Sequence, residues 1–295
     1  LFGLTLLLLI SVEIIGVLGK GATRWIRVFG FSIQPSELVK ITIILALAKF
    51  YHDIKFENIK KISFLFFPFL ILIIPFAFVV IQPDLGTSLS IIMLGAFILF
   101  VAGVRIWKFL LGIMATIISI PIFLQYIKPY QRDRIVSFLN PESDPLGQGY
   151  QLIQSKIALG SGGATGKGFL QGTQSYLEYL PEKQTDFIFT LIGEEFGFLG
   201  TTFIILIFIL LIAVCYFISI KCFHTFGRIL ALGVASNVFI YVFMNIAMVS
   251  GLMPVVGIPL PLISYGGSVM LSIMISMGLV LNVELNYNLK KLHNA

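Results

Sequence analysis

The stretch LPEKQTDFIFTLIGEEFGFLG, residues 180–200, carries four of the chain's fourteen acidic residues: Glu182, Asp186, Glu194 and Glu195. A carboxylate at a water–lipid boundary with bases nearby is what a general base acting on a lipid-linked substrate needs. As a helix, the stretch would put Glu182 and Asp186 at i,i+4 on one face. The FIFTLIG that follows would hold Asp186 against an apolar wall. Glu194 and Glu195 precede a long apolar run, where acids favour the positive end of a helix dipole.

Other segments supply charge of both signs. In FSIQPSELVKITII, Pro35 suits a first helical turn, and Glu37 and Lys40 at i,i+3 can pair on one face. Such a pair is either structural or, as an ionisable group at membrane depth, functional. Asp84 in IQPDLGTSL sits where a carboxylate caps a helix start. Arg132 and Arg134 flank Asp133. They suit a phosphate-bearing headgroup or, equally, ordinary interfacial anchoring. The run ALGSGGATGKGFLQGTQ resembles a phosphate cradle, but Lys167 is followed by Gly168, so the GxxxxGK[ST] spacing is missing. The other reading is backbone that lets segments approach closely. Cys215 and Cys222 have no metal-type spacing and read as packing residues.

The elements that must position these groups are membrane helices. Hydrophobic residues make up 58% and charged residues 12%, against about 25% charged in a soluble domain. The fold class is therefore an all-α polytopic membrane protein. The net charge of +6 fits basic cytoplasmic loops better than nucleic-acid binding. With ~20 apolar residues per span, eight candidates appear, at roughly 1–19, 35–51, 63–82, 85–104, 107–127, 197–220, 228–250 and 266–284. The first lacks a basic region before it and reads as a helix rather than a signal peptide.

Ten basic residues (Lys49, Lys55, Lys60, Lys61, Arg105, Lys108, Lys221, Arg228, Lys290 and Lys291) fall on loops sharing one side, against Asp53, Glu57 and Glu284. That side is expected to be the cytoplasm. Lys20, Arg24 and Arg27 argue mildly the other way. Segment 128–196 then faces outward as a long loop within a single domain of residues 1–295, and holds eight of the fourteen acids. Long segments of this kind are usually functional. SGLMPVVGIPLPLISYGGSVML, with Pro254, Pro259 and Pro261 among its glycines, forbids a continuous helix and is expected to pack into the outward face.

Taken in order, GATRWI, QPSELVK, QPDLGTSL, YQRDRI, NPESDPLGQGYQL, GSGGATGKG, the 180–200 stretch and GLMPVVGIPLPLISYGGS resemble the shape, elongation, division and sporulation (SEDS) family across essentially the whole chain. GTQSYLEYLPE and PVVGIPLPLISYGG make it more similar to the RodA branch than to FtsW. The resemblance implies ten spans, so that the first span here would be the family's third. It also implies a peptidoglycan glycosyltransferase that polymerises lipid II on the outer face of the bacterial cytoplasmic membrane. The family's essential aspartate, in TDFIF, is Asp186 here, the expected general base and the expected ligand of any divalent cation (Mg or Mn). Arg132, Arg134 and Lys183 are expected to meet the substrate pyrophosphate, and Glu37 and Lys40 to shape the cavity. Gln184 stands where the family usually has His. It can still hydrogen-bond, but it cannot titrate. The implied partner is a single-pass class B penicillin-binding protein, a transpeptidase.

Two other classes compete. A lipid II flippase would also use membrane helices and intramembrane charges, but no inverted repeat is evident. A recruiting scaffold would leave Asp186 dispensable.

Overall fold

A computed structural model describes residues 1–295 apart from 20–21, 29, 55–60, 62, 127–128, 145–146, 178 and 294–295. Lys20, Lys55, Lys60 and Glu57, used in the charge argument, lie outside the described residues, as does Glu178. The described chain is helical with one small sheet, and it divides into two compact units. One comprises Leu1–Ile106, Leu210–Ile240 and Gly266–Ala295; the other comprises Trp107–Ile209 and Tyr241–Tyr265.

In the first unit, helix α1 (Phe2–Ile15) stops at Gly16, which turns into extended backbone. A side chain there would clash with the Val12 carbonyl, so glycine lets the chain leave the helix. The following residues form strands β1 (Val17–Gly19), β2 (Ala22–Val28) and β3 (Phe31–Ile33), an antiparallel sheet in that order. The register sets Val17 opposite Trp25, Ile26 opposite Ile33 and Val28 opposite Phe31. The sheet departs from the all-helical expectation: the apolar run that reads as a span over 1–19 ends its helix at Ile15 and finishes as a strand.

Helix α2 (Pro35–Asp53) starts on Pro35 after an extended Gln34, the position where a missing N–H costs nothing. After a short 3-10 turn (Ser63–Leu65) come α3 (Phe66–Ile81) and α4 (Leu85–Val101). Val39, Ile43, Leu47, Ile91 and Leu94 are fully buried at the centre of this unit. A Cβ on Gly95 would run into the Leu72 side chain, so this glycine permits the close approach of α3 and α4.

The second unit contains nearly all of α5 (Ile106–Tyr126), then α6 (Pro129–Leu139), a 3-10 turn (Pro141–Ser143), α7 (Gln148–Ser161) and the single turn α8 (Thr173–Tyr176). Segment 128–196 is thus largely structured. Asp144 anchors it by accepting bonds from Ser137 Oγ at 3.0 Å and the Gly149 amide at 3.3 Å. Helices α9 (Ile188–Lys221) and α10 (Thr225–Val249) contribute residues to both units, and α11 (Gly267–His293) belongs to the first. Helix α9 breaks at Gly197, whose φ of 64° and ψ of −159° are non-helical. The expected span boundary at 197 falls on this break, and Glu194 and Glu195 lie in the helical segment before it.

Among the described residues, four helical segments are long and apolar enough to cross a membrane: Ser63–Ile81, Ile188–Lys221, Thr225–Val249 and Gly267–Tyr287. Phe2–Ile15, Leu85–Val101 and Ile106–Ser119 are apolar but shorter. Pro35–Asp53 is 19 residues long and carries Glu37, Lys40, Lys49 and Asp53.

Candidate functional site

The residues around Asp186 are held by tertiary bonds rather than by a helix. Residues 181–187 are turn, so Glu182 and Asp186 do not share a helix face as the i,i+4 spacing suggested. Within the turn, the Phe187 amide donates to the Glu182 carbonyl at 3.2 Å and Thr185 Oγ1 donates to Glu182 Oε2 at 2.8 Å. Helical bonding begins at Phe187, whose carbonyl accepts from Thr190 and Leu191.

The three preceding carbonyls are each claimed from elsewhere in the second unit. The Tyr265 amide donates to Gln184 O at 2.9 Å and Ser264 Oγ to Thr185 O at 2.6 Å. Asn245 Nδ2 donates to Asp186 O at 2.8 Å and to Ile258 O at 2.7 Å. Ser264 Oγ in turn accepts from the Leu260 amide at 2.8 Å. The proline-rich loop 250–265 therefore packs on the Asp186 turn, and Pro254, Pro259 and Pro261 keep it from becoming helix.

The side chain of Asp186 is half-buried, beside a fully buried Phe187. It abuts Gly257: a Cβ on that residue would stand 3.3 Å from Asp186 Oδ2, and its φ of +70° favours glycine. Lys183 and Gln184 adjoin Asp186 in the same turn, Lys183 half-buried and Gln184 exposed. Arg132 and Arg134 lie on α6 of the same unit, Arg132 exposed and Arg134 half-buried.

Glu37 and Lys40 are in the first unit, both buried, with Lys40 Nζ 2.8 Å from Glu37 Oε1. Asp84 is the cap that its position suggested. It accepts from the Thr87 amide at 3.2 Å, Thr87 Oγ1 at 2.9 Å and Gln34 Nε2 at 2.9 Å. Arg24 stands 3.8 Å away and donates to the Gln82 and Pro83 carbonyls, so its charge serves this corner.

Glu194 does more than complement a helix dipole. Its carboxylate is wholly buried and accepts from Lys167 Nζ at 2.9 Å, Thr173 Oγ1 at 3.2 Å and the Gln174 amide at 2.9 Å. The glycine-rich run lies backbone to backbone on this part of α9. The Lys167 and Gly168 amides donate to the Glu194 and Glu195 carbonyls. Cβ atoms on Gly162 or Gly166 would collide with the Gly193 or Glu195 carbonyl oxygen. Close approach, not phosphate cradling, is what those glycines provide. A neighbouring groove of about 300 Å³, walled by Leu159, Phe189, Phe198 and several glycines, has no ionisable residue in its lining.

Cys215 and Cys222 are buried and unbridged, with Cys215 Sγ 3.9 Å from Met277 Sδ. Among the described residues, no three His, Cys, Asp or Glu side chains gather to hold a metal ion.

Asn245 and Ser264, which hold the Asp186 turn, are residues of the candidate site that sequence reasoning missed. An asparagine in YVFMNIAMV, otherwise apolar, is the signal that could have found the first.

Apolar helices, and a fixed carboxylate beside an irregular loop, define a polytopic membrane protein with a candidate acid–base site. The family model for cell cycle proteins of the FtsW, RodA and SpoVE type matches residues 1–289. The chain belongs to this family. It is 43% identical over 288 residues to the peptidoglycan glycosyltransferase MrdB of Escherichia coli (strain K12), covering 96% of this chain and 76% of the relative. Among solved structures it resembles a peptidoglycan synthase complex studied for its coordination of polymerization and crosslinking. That match has a TM-score of 0.82 at 33% identity and covers 97% of this chain and 80% of the other. The rod shape determining protein RodA of Thermus thermophilus matches with a TM-score of 0.69 at 26% identity, covering 97% and 77%.

Proposed function

We propose that this chain is a peptidoglycan glycosyltransferase that polymerises lipid II into β-1,4 glycan strands by inverting transfer. Asp186 acts as general base. It takes the proton of the acceptor's GlcNAc 4-hydroxyl as that oxygen bonds to the donor's anomeric carbon. The bond from that carbon to the undecaprenyl pyrophosphate breaks, and the pyrophosphate departs with the electron pair. Arg132, Arg134 and Lys183 supply positive charge for it, and Gln184 orients the acceptor by hydrogen bonding. Glu37 and Lys40 shape the interior of their own unit.

The observation that carries this reading is the set of bonds to three consecutive carbonyls, 184–186, from Tyr265, Ser264 and Asn245. It fixes the backbone of a half-buried carboxylate before substrate arrives, and such preorganisation is what a positioned base requires. Asp186 is also the residue that would hold a divalent cation, magnesium or manganese, which would offset negative charge on the pyrophosphate.

The protein is read as resident in the bacterial cytoplasmic membrane, with Asp186 on the outer face. The positive charges at or near helix ends, Lys49, Arg105, Lys108, Lys221 and Arg228, support that orientation. A class B penicillin-binding protein is the proposed partner, supplying crosslinking.

The test is polymer synthesis from labelled lipid II by the full-length protein with its partner, as wild type and as Asp186→Ala. Glycan strands are expected from the wild type only. Strands from both would remove Asp186 as base, and lipid II crossing liposomes with no strands from either would install the flippase reading.

A further inference from the structure

We infer that Asn245 is the positioning residue of the reaction, the group that sets where the Asp186 carboxylate stands. The inference rests on the reading of Asp186 as the base. Asn245 is fully buried in the apolar end of α10, where an amide side chain is costly unless it is used. Both N–H groups of its Nδ2 are used, one on Asp186 O at 2.8 Å and one on Ile258 O at 2.7 Å. Its Oδ1 has no partner among the described residues, so the amide is kept for what it donates. Asn245 thereby ties the carboxylate-bearing residue to the loop whose Gly257 faces that carboxylate. The first helical bonds go to the Phe187 carbonyl, and one residue earlier this side chain donates to the Asp186 carbonyl.

A second tie lies four residues farther along both segments and provides the contrast. Ser155 Oγ donates to Val249 O at 2.8 Å and lies 2.7 Å from Thr190 Oγ1. Its one proton is committed to the carbonyl, so Thr190 is the donor of the pair. Asn245 of α10 thus reaches Asp186 directly, and Val249 is joined to Thr190 through Ser155, at the same spacing of four. The Ser155 tie joins helix to helix below the reacting group. The Asn245 tie ends on the residue that reacts. Both bury comparable hydrogen bonds, so loss of either loosens the fold, but only loss of the Asn245 tie displaces the base.

A displacement of about 1 Å costs on the order of 10²-fold in rate. Asn245→Ala in the full-length protein with its partner is therefore expected to lower kcat by roughly that factor per folded molecule, with KM for lipid II within about threefold of wild type. Asn245→Ser, which keeps one donor and perturbs the fold less, should give an intermediate kcat with the same unchanged KM. Ser155→Ala is expected to lower the unfolding midpoint while leaving kcat within about threefold.

The inference is overturned alone if Asp186→Ala is inactive while Asn245→Ser and Asn245→Ala turn over like the wild type. It is overturned equally if Asn245→Ala and Ser155→Ala lose kcat to the same extent, since Asn245 would then be structural only. Polymer from Asp186→Ala would instead bring down the base assignment, and this inference with it.

Discussion

The Glu37–Lys40 pair in one unit and Asp186 in the other are both ionisable groups set in apolar surroundings, and only Asp186 is described with long-range ties to its main chain and to those of its neighbours in the turn. Glu37 and Lys40 are satisfied through their charged ends, which meet at 2.8 Å with both side chains buried. Asp84 and Glu194 follow the same pattern, each carboxylate accepting several hydrogen bonds. At Asp186 the bond from Asn245 goes to the backbone carbonyl, and the half-buried carboxylate stands against a glycine. A carboxylate saturated by buried donors holds a fold together, because removing one partner strands the other. A residue tied through its main chain keeps its backbone in place while its carboxylate oxygens exchange partners with a substrate. On the proposed reading of Asp186 as base, this difference would separate chemistry from architecture among carboxylates that composition alone makes look alike.

The strongest break in that comparison comes from Asp186→Asn, which keeps the shape and the backbone bonds but removes the proposed base. Polymer synthesis should fall by about 10²–10⁴-fold, with an unfolding midpoint close to that of wild type. Lys40→Met should do the reverse. It leaves Glu37 buried without this partner and should cost about 3–5 kcal/mol of stability, read from denaturant unfolding in detergent. Replacing both partners, Glu37→Leu with Lys40→Met, should recover most of that loss. Polymerisation by the double variant would assign the pair to structure, and a stable but inactive double variant would assign it to function. Asp84→Ala is expected to cost about 2 kcal/mol through the lost cap and the stranded Gln34 amide, with turnover per folded molecule unchanged.

Local features were legible in the sequence because their causes are local. Glu37 and Lys40 are three residues apart on one helix, Asp84 precedes its own helix, and Pro35 opens α2, so spacing alone brought the partners together. The Asp186 turn was not legible, because its bonding partners come from 59 to 81 residues farther along the chain, counting from Asp186 to Asn245 and from Gln184 to Tyr265. Without them FIFTLIG continues backward as plausible helix. The role of Glu194 is hidden for the same reason. Lys167 lies 27 residues before it, and the glycines that let that run approach α9 say only that something comes close. The strand at Val17–Gly19 hid in an apolar run whose composition suits a helix or a buried strand equally. Asp186 itself was singled out by resemblance, not by spacing.

The finest test of the comparison is Gly257→Ala. At φ +70° the left-handed backbone costs an alanine about 1 kcal/mol, a loss of stability that unfolding would show. Its methyl would also stand 3.3 Å from Asp186 Oδ2, closer than a Cβ ordinarily sits, so either the loop or the carboxylate must yield by a few tenths of an ångström. Asn245 and Ser264 hold the main chain on both sides of that contact, which leaves the carboxylate as the softer partner. Turnover should therefore fall by about threefold to tenfold, beyond what 1 kcal/mol of lost stability removes from the folded population. An alanine variant that loses stability but keeps full turnover would show that the loop moves instead, and that the position of the carboxylate is set by its main chain alone.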